Sequence, residues 1–554
     1  MVYEPSGVEL FGQRFLTLLN VLNNTALEEL NCSGCKKLSA LDVSKHVALR
    51  SLNCSSCSLK KLDLSNNSAL TMLNCSENSM TSLDLSHNPE VMDVNCSGNH
   101  AYWTTTATNR IRSLNLSGCS KLLTLNCAYQ LLASLNISDC IALTELESRT
   151  NVLLGIDLSH NIKLRKLDCA DNKISSLNLS HNSSLATYNI SNNPLKDINV
   201  GSVLSSLDFV TGGSYTEPTE LKISATKLKS LFLNRNGAQD AKITSIDFSN
   251  CTSLESATIY LSTLPEIDFS PCPSFNRLEI YSLQLQTLNF SRNANLKSIY
   301  CNGCINLKDV ILPDSESFTS GTFLGCTQLS DISFANTPNL RYLEFEKCPS
   351  LKSLDLSNNL SLQKLNLSQC KSLNYLNLGA NPYLKTLIVS FCGPNCNIEG
   401  LKVEKLSYSS NNYTTTNNLV VKNLPALIEL QVSNCNMKTI DLSGNPHLKK
   451  LTLSGTALEN LDLSNNPEVE TVSCFSIMMQ SLNVTRCPLL NTLDCKNNYY
   501  ETLDVSGNPL LTTLNCSGMT TLKTLYLDQS QRIRYITYDR STSYIPEQTI
   551  LEYK

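Results

Sequence analysis

Residues 59–99 read LKKLDLSNNSALTMLNCSENSMTSLDLSHNPEVMDVNCSGN, and this stretch decides the architecture. Within it Leu62 and Leu64, Leu73 and Cys75, Leu83 and Leu85, and Val94 and Cys96 form apolar pairs two residues apart. That spacing puts both side chains on one face of an extended strand, so each pair predicts one short strand. Between the pairs stand Ser65-Asn66-Asn67 and Ser86-His87-Asn88-Pro89, residue types that turn a backbone or bond it locally.

The phrase recurs about every 21 residues as two half-phrases, the signature of stacked coils. One half carries Cys at its second inward position: Cys32, Cys54, Cys75, Cys96, Cys127, Cys169, Cys301, Cys474, Cys495 and Cys516. The other carries an aliphatic residue there, as in Val43, Leu64, Leu85, Leu116, Ile137, Leu158, Leu179, Val200, Leu463, Val484 and Val505. Each coil therefore has a cysteine side and a leucine side.

The phrase Leu70-x-x-Leu73-x-Cys75-x-x-Asn78, repeated as Leu351-x-x-Leu354-x-Leu356-x-x-Asn359, resembles the leucine-rich repeat. Its Cys-bearing version resembles the cysteine-ladder branch of bacterial internalin-type surface proteins. The resemblance runs from Ala26 to Ile536. It implies an α/β-class leucine-rich repeat solenoid, mostly β with few helices, of about 23 coils of roughly 21–22 residues with two short strands each. It also implies an extracellular or cell-surface bacterial protein that binds a host or neighbouring-cell protein or glycan.

At the N-terminus, Phe11, Phe15, Leu18, Leu19 and Leu22 are spaced to fill one face of a helix over Val8 to Leu22, read as a cap across residues 1–25. Residues 26–536 form the solenoid, with breaks expected near 101–110, 201–218 and 393–425. From Phe290 to Val389 the inward residues fall every eleven, through Cys301, Leu312, Phe323, Phe334, Phe345, Leu356, Leu367 and Leu378. Residues 537–554 form a C-terminal cap, where Thr549, Leu551 and Tyr553 alternate as a closing strand would.

A net charge of -4 gives no basic footprint for nucleic acid. No run of eighteen apolar residues occurs, which argues against membrane insertion, and residues 1–6 lack the basic start and apolar centre of a signal peptide. An exported form would carry its signal outside these residues. A monomer is expected.

The 24 cysteines invite a metal reading, because Cys32, Cys35, Cys54 and Cys57 have zinc-ribbon spacing. Against it, most of the others either replace Leu at the inward position or replace Asn in the turn, as Cys119, Cys140, Cys304, Cys326, Cys348 and Cys370 do. Substitution on that template points to buried thiols that fill space or donate S–H to the turn backbone, with Cys392 and Cys396 the pair best placed for a disulfide. Stacked Asp42, Asp63 and Asp84 suggest calcium, but Asn and Ser share their column, so a local backbone bond to a neighbouring coil explains all three types. No catalytic phrase is present, and His87, His160 and His181 repeat one turn. The expectation is a binding protein with no enzyme activity, cofactor or metal.

Candidate partner-binding residues are aromatic. Trp103 lies in the insertion AYWTTTATNR, and Tyr260, Tyr281 and Tyr300 stand on successive coils at outward positions. Two other classes compete with recognition: a spacer that displays another module, and an intracellular regulator suited to reduced thiols.

Overall fold

The structure is a computed structural model that describes residues 6–98, 110–211, 219–235, 243–379, 381–390, 395–396, 398, 401–410, 419–531, 535–537 and 550–553. The chain divides into two compact units, Met1–Phe275 and Asn276–Lys554. Each is a parallel β-solenoid, and no helix occurs among the described residues.

In the first unit the cysteine-side ladder runs through Gly7–Glu9, Glu29–Asn31, Ser51–Asn53, Met72–Asn74, Asp93–Asn95, Thr124–Asn126, Glu145–Glu147, Lys166–Asp168 and Thr187–Asn189. Like residues face like, so Leu30 pairs with Leu52, Leu52 with Leu73, and Leu73 with Val94. Register is forced because a slip by one residue would turn every Leu and Cys outward. In the second unit the same side is continuous from Arg277–Tyr281 to Tyr535–Thr537. In-register stacking also aligns core rings. Phe323 and Phe345 stack at 5.0 Å, as do Phe248 and Phe269 at 5.2 Å in the first unit.

Two strands per coil is correct only in places. On the leucine side, Ser82–Asp84 pairs with Ser113–Asn115, and another ladder joins Ser176–Asn178, Asp197–Gly201, Thr219–Ala225 and Ile243–Asp247. Around Val43 and Leu64 the inward residues are buried but the backbone forms no strand. Burial of the pair therefore does not require a ladder.

The N-terminal helix does not form. Gly7–Glu9 is a strand paired with Glu29–Asn31, the following residues are turns, and Phe11, Phe15 and Leu18 are 74%, 83% and 73% exposed. The apolar spacing was a coincidence of turn positions, and the open strand edge of the first coil takes a strand instead.

Two expected breaks hold strands. Ser206–Thr211 pairs with Ser230–Arg235, since Leu204-x-x-Leu207-x-Phe209 carries the repeat phrase inside the expected 201–218 gap. Lys405–Ser409 joins Thr386–Ser390 and Glu429–Ser433 within 393–425, with Leu406 and Tyr408 turned inward. Across the insertion the ladder is unbroken, for Asp93 pairs directly with Thr124. Of the every-eleventh residues from Phe290 to Val389, Leu312 is half-buried and the others are buried. At the C-terminus Ile550–Tyr553 pairs in parallel with Thr524–Leu527, where a closing strand was expected.

Candidate interaction surface

The turns that hold the outward residues are built differently on the two sides. On the leucine side, Asn67, Asn88, Asn161, Asn182, Asn445, Asn466 and Asn508 each donate Nδ2–H to two backbone carbonyls of the preceding coil. Their buried Oδ1 atoms accept no hydrogen bond. On the cysteine side, Asn78, Asn151, Asn172, Asn193 and Asn498 each donate to one carbonyl of the preceding coil and to carbonyls of their own turn, and their Oδ1 also accepts the N–H of Leu59, Leu132, Leu153, Ile174 and Met479. The difference lies in the backbone. Leucine-side turns close on themselves, as in Asn161 N to Leu158 O and Leu164 N to Asn161 O, and leave no N–H to give.

Cysteine takes the same places as a donor. Cys57 Sγ donates to Cys32 O at 3.3 Å, Cys119 to Leu85 O at 3.4 Å and Cys348 to Phe323 O at 3.3 Å. The cysteines whose side chains are described are free thiols, buried except for the half-buried Cys516. Burial pushes the Cys96, Cys169 and Cys474 thiols up to about 12, away from the thiolate that metals and nucleophilic chemistry need. Cys35 donates to Leu10 O at 3.4 Å, so the turn thiols of the zinc-like quartet are spent on backbone carbonyls. The side chains of Cys392 and Cys396 lie outside the described residues.

The leucine-side aspartates bond the backbone of their own coil, and Asp84 also accepts from the Asn115 side chain of the next coil at 2.9 Å. Asp42, Asp63 and Asp84 accept the N–H of Ser44, Ser65 and Ser86 at 2.9, 3.0 and 2.9 Å. An Asp two residues before a Ser reaches forward to that N–H, which is shorter than crossing to the next coil. The Ser-His turn repeats as expected, with the Ser86, Ser159 and Ser180 hydroxyls 3.1–3.2 Å from the next histidine's Nδ1. His46 differs. Fully buried, it stands in the asparagine column with Nε2 2.9 Å from Val21 O.

On the cysteine-side face of the first unit, outward Asn31, Asn53, Asn74 and Asn95 are locked. Each Oδ1 accepts from the hydroxyl of Ser33, Ser55, Ser76 or Ser97 at 2.7–2.8 Å and from the same serine's N–H at 3.1–3.2 Å. Two coils on from Asn95, charge replaces amide. Glu147 accepts from Asn126 at 3.0 Å and from Lys166 at 2.6 Å, and this carboxylate raises the Lys166 ammonium. Burial raises the Asp168 carboxyl, with Arg149 at 3.9 Å. The Arg149 guanidinium also lies 5.6 Å from the Tyr129 ring centre. The sequence marked this cluster only by the loss of Asn at positions 147 and 168.

The aromatic candidates occupy different surroundings. Trp103 lies outside the described residues. Tyr260, in the first unit, packs edge-on against Phe232 at 6.0 Å. In the second unit Tyr300 stands opposite Glu279, so it does not share the column of Tyr281. Tyr281 instead lies over Gly303, whose φ is +67° and where any added Cβ would meet the ring at 2.5 Å. Tyr300 is 36% exposed and stays available for contact.

No family model and no curated protein matches the sequence. Among solved structures, the functional domain of InlJ from Listeria monocytogenes, which includes a cysteine ladder, is 20% identical with a TM-score of 0.31, over 92% of this chain and 67% of that one. YopM from Yersinia enterocolitica is 16% identical with a TM-score of 0.29, over 97% and 91%. TLR13 in complex with single-stranded RNA is 15% identical with a TM-score of 0.34, over 92% and 90%. Such scores add nothing to the geometry above. The repeat phrase and its one-coil register by themselves make the chain a leucine-rich-repeat solenoid.

Proposed function

We propose that this leucine-rich-repeat solenoid is a non-catalytic scaffold that recognises a protein partner, acting at a bacterial surface or after secretion. The observation behind this reading is the cysteine-side face, where Asn31, Asn53, Asn74 and Asn95 are held by serine and run into the Glu147, Lys166 and Asp168 cluster. Side chains fixed before contact lose little rotamer freedom on binding, which favours recognition. A surface serving only as a spacer needs no such ordering.

The test is a binding screen of the full chain, by biolayer interferometry, against extracellular protein domains and glycans. A saturable protein partner lost on Asn53→Arg with Asn95→Arg, at unchanged thermal melting, is the expected result. A partner indifferent to those changes removes this face from the reading, a glycan partner replaces the protein, and absence of any partner favours a spacer. Free thiols also suit an intracellular regulator. Protease shaving of intact cells separates the two, since only a surface protein is cleaved.

A further inference from the structure

The leucine-side ladder of the second unit is interrupted in several places, and one interruption makes a groove. Thr287–Asn289 pairs with Asp309–Ile311, and pairing resumes between Ser353–Asp355 and Tyr375–Asn377. In between, Ile332 and Phe334 turn inward and are buried, but residues 331–333 join no strand. Ser333 stands where the next coil has Asp355, and the shorter side chain leaves space. The result is a groove of about 360 Å³ lined by Asp331, Ser333, Ser353, Asp355, Asn358 and Tyr375 among others.

Three features of the groove are independent of one another. It has volume within the range of built ligand sites, which run from about 300 Å³ upward. Its wall is an aromatic ring, Tyr375, 44% exposed. Its charge is negative, from Asp331 and Asp355, with no cation among the described lining residues. Asp355 is also fixed: Oδ1 accepts from Ser357 N at 2.9 Å and Ser357 Oγ at 2.7 Å, and Oδ2 from Asn377 at 3.2 Å. An aromatic face beside carboxylates suits a planar cation, which stacks on the ring while its N–H groups bond the oxygens.

We propose that this groove binds an arginine side chain of a basic peptide segment in a partner protein, the guanidinium lying on Tyr375 and bonded to Asp331 and Asp355. It rests on the recognition reading only in taking outward positions as the working surface. A neutral sugar could also stack on Tyr375, but it would leave both carboxylates without a counter-charge.

The test uses the full chain and dye-labelled hexapeptides of alternating glycine and arginine, read by fluorescence anisotropy, with a glutamine version and a chitin trisaccharide as comparisons. Asp331→Asn with Asp355→Asn removes the charge. Asn already fills the equivalent place at Asn289 and Asn377, bonding the N–H two residues on at 3.0 and 3.1 Å, so the fold tolerates it. The expected result is saturable binding of the arginine peptide alone, weakened roughly tenfold by the double Asn variant and by Tyr375→Ala, and weakened by salt. Failure of the arginine peptide to bind, or binding that survives both variants, overturns the proposal. Binding of the trisaccharide that is lost in Tyr375→Ala overturns it in favour of a glycan. A partner that still needs Asn53 and Asn95 while the peptide fails leaves recognition standing and removes only the groove.

Discussion

Asn161 and Asn172 sit eleven residues apart in one coil, one on each side, and Ala at the two positions should cost different amounts. Asn161→Ala removes two Nδ2–H bonds, to Ile137 O at 3.1 Å and Cys140 O at 2.9 Å. Both carbonyls keep another partner, the N–H of Cys140 and of Leu143 respectively, and the unpaired buried Oδ1 disappears with the side chain. Net bonds of about 1 kcal/mol each, offset by that relief, put the loss at roughly 1–2 kcal/mol. Asn172→Ala removes donations to Ser148 O and Cys169 O, both at 3.0 Å, and also the acceptor of Leu153 N at 3.0 Å. An orphaned buried N–H adds about 1–3 kcal/mol, for a loss of roughly 3–5 kcal/mol. Chemical denaturation of the two variants reads the difference, about 2 kcal/mol in favour of Asn161→Ala. Asn161→Cys should lie nearer to wild type than either, because Cys140 and Cys119 already occupy that column natively. Equal losses, or a larger loss at Asn161, would refute the claim that the two asparagine columns do different work.

Three further outcomes follow from the same structure. Tyr188 bridges the end of the first cysteine-side ladder to the next strand, its hydroxyl donating to Ser206 O at 3.0 Å and accepting Asp208 N at 2.9 Å; Tyr188→Phe should cost about 1–3 kcal/mol in thermal or chemical unfolding, and a neutral result would show the seam is closed some other way. A thiol-reactive chromogen should count close to 24 sulfhydryls in denaturant and few in the native protein, with a deficit in denaturant pointing to disulfides. Hydrogen bonds from the serine two residues on hold Asp63, Asp157 and Asp355 below the ordinary carboxylate range, and Asp441 at about 2. Depressed folded values mean the unfolded chain binds more protons, so this stability is full above about pH 4 and is lost as pH falls toward 2. Asp441→Asn should be less stable than wild type at pH 7, where it also gives up the 3.1 Å ion pair with Lys422, and should lose less between pH 4 and 2.5 in denaturant titrations; an unchanged slope would remove Asp441 from the acid response.

Why the fold was legible and the surface less so comes down to which residues the stacking constrains. A pair such as Leu73 and Cys75 has one tolerable side, inward, so its spacing alone gives strand, register and core; Leu207 and Phe209 obey the same rule and were hidden only by their irregular surroundings. The segment from Phe11 to Leu18 shows the limit, since a helical spacing there packs against nothing and its side chains stay in water. Turn asparagines look alike in sequence, yet whether Oδ1 finds an N–H depends on the backbone of the preceding coil, as Leu153 shows for Asn172. The outward positions are less constrained still. Tyr281 and Tyr300 were equally plausible contacts until register put one over Gly303 and the other opposite Glu279. The groove beside Tyr375 exists because residues 331–333 keep their inward pair but leave the ladder. Ser333 in place of Asp is the only sign of it in the sequence, and such a change becomes meaningful only once its column is known. Function in a repeat protein is therefore best sought where a coil keeps its inward phrase and departs from its outward one.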